Sequence, residues 1–242
     1  MSRQPWVFIP WMPGTNCHLE MAEAFKLAGA RPEIVPLNRL DRPKLYEADL
    51  IGFAGGFCWG DHFGTARVAA IDFIHGMRDE LSESLARKIP MLGVCNGFQI
   101  LTATGLLPMR TMGQPTAALD MNLSGRFEHW NSRRLVLHER AGVDCVWTRQ
   151  LDGLAVGWPT AHAEGRLVLS PGQPALHVVA TYGTYEGTAE YPISPNGSAV
   201  AGICDASGLI AGFMPHPERR IDYLLGGGDG LSIFVNGVVA VR

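Results

Sequence analysis

The chain has 242 residues, 47% hydrophobic and 18% charged, an ordinary globular composition that predicts one large domain over residues 1–242. A formal charge of −3 without a basic run gives no electrostatic reason for nucleic acid or an anionic membrane as partner, and Pro5, Pro10 and Pro13 cut the first apolar run short of a signal sequence or spanning helix. Five scattered cysteines, odd in number and without a Cys-x-x-Cys pair, suggest neither a disulfide framework nor a zinc ribbon, and fit a reducing cytoplasm.

Residues 6–9 read as a first buried strand, and a Pro-rich loop leads to Asn16 as helix N-cap. Met21, Ala22, Phe25 and Ala28 form the apolar stripe of that helix, which Gly29 stops. Residues 33–36 and 50–54 read as the second and third strands, and strands alternating with helices imply a parallel sheet. A glycine loop, Gly55-Gly56-Phe57, follows the third strand. Residues 65–86 carry one long helical pattern, with Val68, Ile71 and Ile74 on one face.

Residues 91–94 form a short apolar run, and Ile100, Ala103 and Leu107 then recur at helical spacing. Cys95 therefore sits at a strand-to-helix turn. In Gly93-Val94-Cys95-Asn96-Gly97 the glycines allow a sharp elbow, and the helix end favours thiolate over thiol. The bland alternative is a buried core cysteine. Residues 109–125 are polar, without clear periodicity or an assignable role. From residue 126 to 203 the pattern shifts to β-like pieces at 135–137, 145–147, 167–169 and 176–181, which add antiparallel strands. A late hairpin at 199–203 and 209–214 runs into Pro215-His216-Pro217-Glu218, and Leu231, Phe234, Val235 and Val238 mark a last helix.

A cysteine nucleophile needs a base and a group to orient it. His216 and Glu218, two residues apart in a proline-restricted segment, supply both. Ligands bind at the carboxyl edge of such sheets, so the glycine loop should face Cys95, and an N–H of Gly56 or Phe57 with that of Asn96 can form an oxyanion hole. His162-Ala163-Glu164 has deaminase-like spacing but no Pro-Cys-x-x-Cys accompanies it. His138-Glu139 lacks a second histidine four residues on. No catalytic metal is expected.

These residues carry a resemblance. Gly93-Val94-Cys95-Asn96-Gly97-Phe98-Gln99 with Met214-Pro215-His216-Pro217-Glu218-Arg219 resembles the class I, Cys-His-Glu triad glutamine amidotransferases. Pro13-Gly14-Thr15-Asn16-Cys17, Gly55-Gly56-Phe57-Cys58-Trp59-Gly60-Asp61, Asn122-Leu123-Ser124-Gly125-Arg126-Phe127-Glu128, Ala161-His162-Ala163-Glu164-Gly165 and Ser194-Pro195-Asn196-Gly197-Ser198 narrow it to the glutaminase subunits of phosphoribosylformylglycinamidine synthase. The resemblance implies a flavodoxin-like α/β fold, a mostly parallel sheet flanked by helices with additional antiparallel strands in the C-terminal half. It implies hydrolysis of L-glutamine through a Cys95 thioester, with Gly55, Gln99, His162 and Glu164 near the substrate. It also implies a synthetase partner, with or without a small bridging subunit, that holds ATP and Mg2+ and converts formylglycinamide ribonucleotide to formylglycinamidine ribonucleotide. This chain has no Gly-x-x-x-x-Gly-Lys-Ser/Thr loop, so no cofactor is assigned to it. A subunit serving another synthetase, or a catalytically weak regulatory subunit, is the alternative. Ala163 stands where the family usually has glycine, residues 61–68 depart from its pattern, and His18-Leu19 replace an acidic-basic pair.

Overall fold

A computed structural model describes residues 3–139, 142–173 and 175–242. Strand β1 (Trp6–Trp11) is followed by helix α1 (His18–Leu27), β2 (Arg31–Pro36) and β3 (Leu50–Phe53). Next come α2 (Arg67–Ile71), α3 (Arg78–Ala86), β4 (Met91–Val94) and α4 (Asn96–Ala103). The C-terminal half contributes β5 (Ala117–Met121), β6 (Glu128–Leu137), β7 (Ala155–His162), β8 (Glu164–Leu169), β9 (His177–Tyr182), β10 (Val200–Cys204), β11 (Ile210–Phe213) and α5 (Leu231–Val239).

One sheet runs in the order β2-β1-β3-β4-β11-β10-β9-β6-β7. From β2 to β11 every pairing is parallel, and from β11 to β7 every pairing is antiparallel. The expected α/β sheet with antiparallel strands in the C-terminal half is therefore the observed one. The parallel strands are apolar throughout because both faces are covered: all four residues of β3, β4 and β11 are buried. Phe25 of α1 meets Phe234 of α5 edge-on at 5.0 Å on one side, and Phe53 of β3 meets Phe73 at 5.3 Å. Among the described residues no helix is long and apolar enough to cross a membrane.

The strand order places the chemistry. Phe53 pairs with Gly93, and Phe213 pairs with Val94, so β3, β4 and β11 end side by side. Gly55, Cys95 and His216 follow those three ends. The Cys95 N–H donates to the Phe213 carbonyl at 2.7 Å, and the His216 N–H donates to the Pro159 carbonyl of β7 at 2.8 Å.

Four expectations are corrected. The long helix over 65–86 is interrupted: a wide π-type turn occupies Asp72–Gly76, and Met77 leaves helical geometry at φ −134° before α3 begins. Gly76 is a poor helix former, and burial of Phe73 wins over continuity. The 109–125 segment contains β5, which pairs antiparallel with β8 in a separate two-stranded sheet. Residues 145–147 form a turn: the Trp147 indole N–H donates to the Leu209 carbonyl at 2.9 Å, so its apolar pattern reports plugging of the core rather than strand pairing. Helix α1 begins one residue later than expected, with Cys17 at the N-cap position.

Helix α4 is seated by glycine. A Cβ on Gly97 would lie 1.9 Å from the Phe53 carbonyl oxygen, and one on Gly93 would lie 2.7 Å from the Gly97 oxygen. Gly97→Ala is therefore expected to lower the unfolding free energy by about 2–4 kcal/mol, or roughly 10 °C in Tm, measured by denaturant and thermal unfolding.

Candidate active site

Cys95 occupies the turn between β4 and α4 with φ 51° and ψ −108°, a conformation that L residues with a Cβ rarely hold. The strain falls on Cys95 itself. Gly93 and Gly97 supply close strand-to-helix packing instead, since positive φ is recorded for Cys95 and for neither of them. The elbow is thus built by a different division of labour than the sequence suggests.

His216 and Glu218 lie in a short turn after β11, both buried. His216 Nδ1 and Glu218 Oε1 are 2.6 Å apart. Burial alone would push the imidazole toward neutrality. The Glu218 charge, aided by Cys95 and Cys17, outweighs burial and holds the His216 pKa well above its ordinary value. His216 Nε2 has no hydrogen-bond partner in the protein. The thiol of Cys95 donates to the Ala161 carbonyl at 3.5 Å.

Gly55 is where the parts meet. A Cβ there would lie 3.0 Å from His216 Cε1, 3.3 Å from Cys17 Sγ and 3.5 Å from Cys95 Cβ. Its carbonyl accepts the N–H groups of Asn16 and Cys17, so Gly55 forms a wall beside Cys17, Cys95 and His216. Of the two N–H groups expected from the glycine loop, that of Phe57 is already given to the Gly14 carbonyl at 2.9 Å. This corrects the assignment of Phe57 as an oxyanion donor. Gly56 remains beside Cys95 in the wall of a cavity of about 200 Å3, with Asn16, Phe57, Phe127, His129 and Arg219 around it. The N–H of Asn96 is in the first turn of α4, where it has no partner inside the helix. The Asn96 side chain accepts from the Cys58 N–H at 3.1 Å and donates to Gln99 Oε1 at 2.9 Å, which locks the glycine loop against α4.

Gln99 and Glu164 lie one helical turn away. Gln99 Nε2 donates to the Glu164 carbonyl, and both residues line a second cavity of about 560 Å3 together with Thr65, Arg67 and His75. Burial, then the negative charge of Glu164, pushes the Asp61 carboxyl up to about 6. His162 is packed behind the triad with Nδ1 3.1 Å from Asn122 Oδ1. Burial, then the neighbouring His216, pushes its pKa down to about 3, so the ring is neutral. Ala163 has no positive φ, and a methyl is accommodated there.

The comparisons with known proteins bear on this arrangement. Residues 4–225 match the CobB/CobQ-like glutamine amidotransferase domain. The chain belongs to that family. The chain is 37% identical to "Phosphoribosylformylglycinamidine synthase subunit PurQ" of Dehalococcoides mccartyi, over 95% of each chain. It is 36% identical to the subunit of that name from Pyrococcus furiosus, over 95% of this chain and 96% of the other. In three dimensions it matches a chain of the PurLQS structure from Thermotoga maritima with a TM-score of 0.81 and 30% identity, covering 99% of this chain and 100% of that one. Within the amidotransferases, it stands with the PurQ subunits.

Two residues beside the triad escape the sequence reading as site residues. Cys17 is buried, and Arg219 donates to its sulfur at 3.1 Å. Both stand inside segments that carry the family resemblance, but neither fits the nucleophile–base–orienter pattern that singles out a triad. Asn122, which holds His162 from its ring and from its carbonyl, is missed for the same reason.

Proposed function

We propose that this amidotransferase hydrolyses L-glutamine at Cys95 and delivers ammonia to a synthetase subunit that makes formylglycinamidine ribonucleotide. The convergence of Cys95, His216 and Gly56 on one cavity carries the chemistry, and the PurQ identity over 95% of the chain carries the pathway.

Cys95 Sγ attacks the side-chain amide carbon of glutamine as its proton passes to His216, and the C–O π electrons move to oxygen. The N–H groups of Gly56 and Asn96 are placed to stabilise that oxyanion. The oxyanion then collapses and His216 passes the proton it took from the thiol to the departing nitrogen, so ammonia leaves and a γ-glutamyl thioester remains. The neutral His216 then takes a proton from water, which attacks the thioester; collapse of that intermediate frees glutamate and restores the thiol. Glu218 keeps the ring oriented on Nδ1 throughout and stabilises its charged form.

Helix α4 connects the two cavities, with Cys95 at its N-cap and Gln99 one turn on. The larger cavity has the size of a small-ligand site. It offers Glu164 to the α-ammonium and Arg67 to the α-carboxylate of glutamine. An exposed aromatic rim, Phe57 and Phe127 with rings 6.1 Å apart, stands at the mouth of the smaller cavity and suits a protein partner. ATP and Mg2+ belong to that partner, and the setting is cytoplasmic.

The test is reconstitution. Glutamine is expected to yield equal amounts of glutamate and formylglycinamidine ribonucleotide only when this chain, the synthetase, ATP and Mg2+ are all present, with faster glutamine turnover in the complex than by the chain alone. Equal glutamine-dependent synthesis with the chain omitted refutes the reading.

A further inference from the structure

The turn from β7 to β8 is held at every carbonyl from Ala161 to Gly165. The Ala161 oxygen accepts from the Cys95 thiol at 3.5 Å. The next two both go to Asn122, whose side-chain Nδ2 donates to the His162 carbonyl at 2.8 Å and whose backbone N–H donates to that of Ala163 at 2.8 Å. Gln99 Nε2 donates to the Glu164 carbonyl, and Asn196 Nδ2 donates to that of Gly165 at 2.7 Å. Glycine lets the turn close on itself, since a Cβ on Gly165 would lie 2.5 Å from the His162 ring.

Both asparagines are buried, and each has one orientation. Asn122 Nδ2 also donates to the Arg126 carbonyl at 3.1 Å, which leaves its Oδ1 to accept the ring N–H of His162 at Nδ1. Asn196 Oδ1 accepts the Ser198 N–H at 2.9 Å and the Ser194 hydroxyl at 3.0 Å, which leaves its Nδ2 for the turn. The Leu123 N–H donates to the Asn196 carbonyl at 3.3 Å, so the two loops behind the turn are tied together.

The held segment spans the two cavities. Ala161 lines the one that contains Cys95 and His216, Glu164 lines the larger one, and neither asparagine is among the residues lining either. We propose that Asn122 and Asn196 are positioning residues that set the length of amino-acid amide the site accepts, by fixing the span from Cys95 to the Glu164 carboxylate. This rests on the reading that Glu164 receives the α-ammonium of glutamine while Cys95 receives its amide carbon. Both ends of the substrate then meet groups placed by one rigid piece of backbone. Asparagine is one methylene shorter and reaches only one end, and a misplacement of about 1 Å costs about 10^2-fold in rate. A loosely held turn would shift to follow the shorter ligand. This one does not, because any shift strips a buried carbonyl of its donor.

The experiment uses the complex of this chain with the synthetase, ATP, Mg2+ and formylglycinamide ribonucleotide, and measures glutamate released from glutamine and aspartate released from asparagine. The unmodified complex is expected to favour glutamine at least about 100-fold in kcat/KM. Asn122→Asp keeps an acceptor for the His162 ring and removes the side-chain donor, and Asn196→Ala removes the donor to Gly165. Each, checked for native circular dichroism, should raise the glutamine KM at least about tenfold with kcat within about threefold, and lower the glutamine-to-asparagine ratio at least about tenfold. Asn196→Ser, which retains a hydroxyl donor, replaces any variant that does not fold and should show the same change at smaller size. A merely structural role lowers the turnover of both substrates alike and leaves the ratio where it was. That result, or a loss confined to kcat, overturns the proposal. With normal glutamine turnover in the unmodified complex, such a failure leaves the glutaminase reading intact, whereas absence of that turnover refutes the reading itself.

Discussion

Cys95→Ala should remove glutamine-dependent synthesis in the assembled enzyme by roughly four to six orders of magnitude, while synthesis from added ammonium salt continues. The size of the loss follows from the role. Without the sulfur no thioester forms, and the oxyanion donors and the base have nothing to act on. Removing the side chain also relieves nothing at the synthetase, which receives the same ammonia from solution. Alanine keeps the Cβ at the strained φ of 51°, so the elbow's backbone is tested with its chemistry deleted. Measuring product formation from glutamine and from ammonium salt in parallel decides the matter. Glutamine-driven turnover that survived the substitution would place the nucleophile elsewhere.

Glu218→Gln is expected to reduce glutamine hydrolysis about 10^3–10^4-fold, as loss of the orienting carboxylate does in other triads. Its second effect is on pH. In the folded protein His216 holds its proton more tightly than in the unfolded chain, because the attraction of Glu218 outweighs burial. That stabilisation is fully present below the unfolded pKa of about 6.5 and is lost as pH rises through the higher folded pKa. The amide has no charge to oppose burial, so the variant gains none of it. Urea unfolding should therefore show the largest stability gap between the two proteins near pH 6 and a smaller gap near pH 9. A gap that widened with pH would mean that His216 is not held in its charged form.

Much of this was legible along the chain because the signals are local. Apolar runs of four residues at 50–53 and 91–94 become buried strands, since a strand covered on both faces has no polar positions to show. Cys95 reads as a nucleophile from its immediate neighbours, and His216 with Glu218 from a spacing of two. Patterns failed where burial and secondary structure part company. The apolar residues at 145–147 fill a gap between the late hairpin and α5 instead of pairing, and Phe73 is buried in a widened turn that breaks the long helical pattern. Strand β5 was illegible for the opposite reason, because an edge strand with one alternating face in a polar loop leaves a weak signal.

By itself, then, the sequence singled out Cys95, the His216–Glu218 pair and the family, each from a motif whose residues are close together on the chain. Only the tertiary structure decided which groups meet. β11 inserts beside β4 although the chain reaches it last, and that register sets His216 against Cys95. The same folding brings Cys17 and Arg219 to the imidazole and spends the Phe57 N–H on Gly14. Hydrogen bonds and thiol contacts between distant segments depend on strand order, which loop closure and packing select and no local spacing encodes.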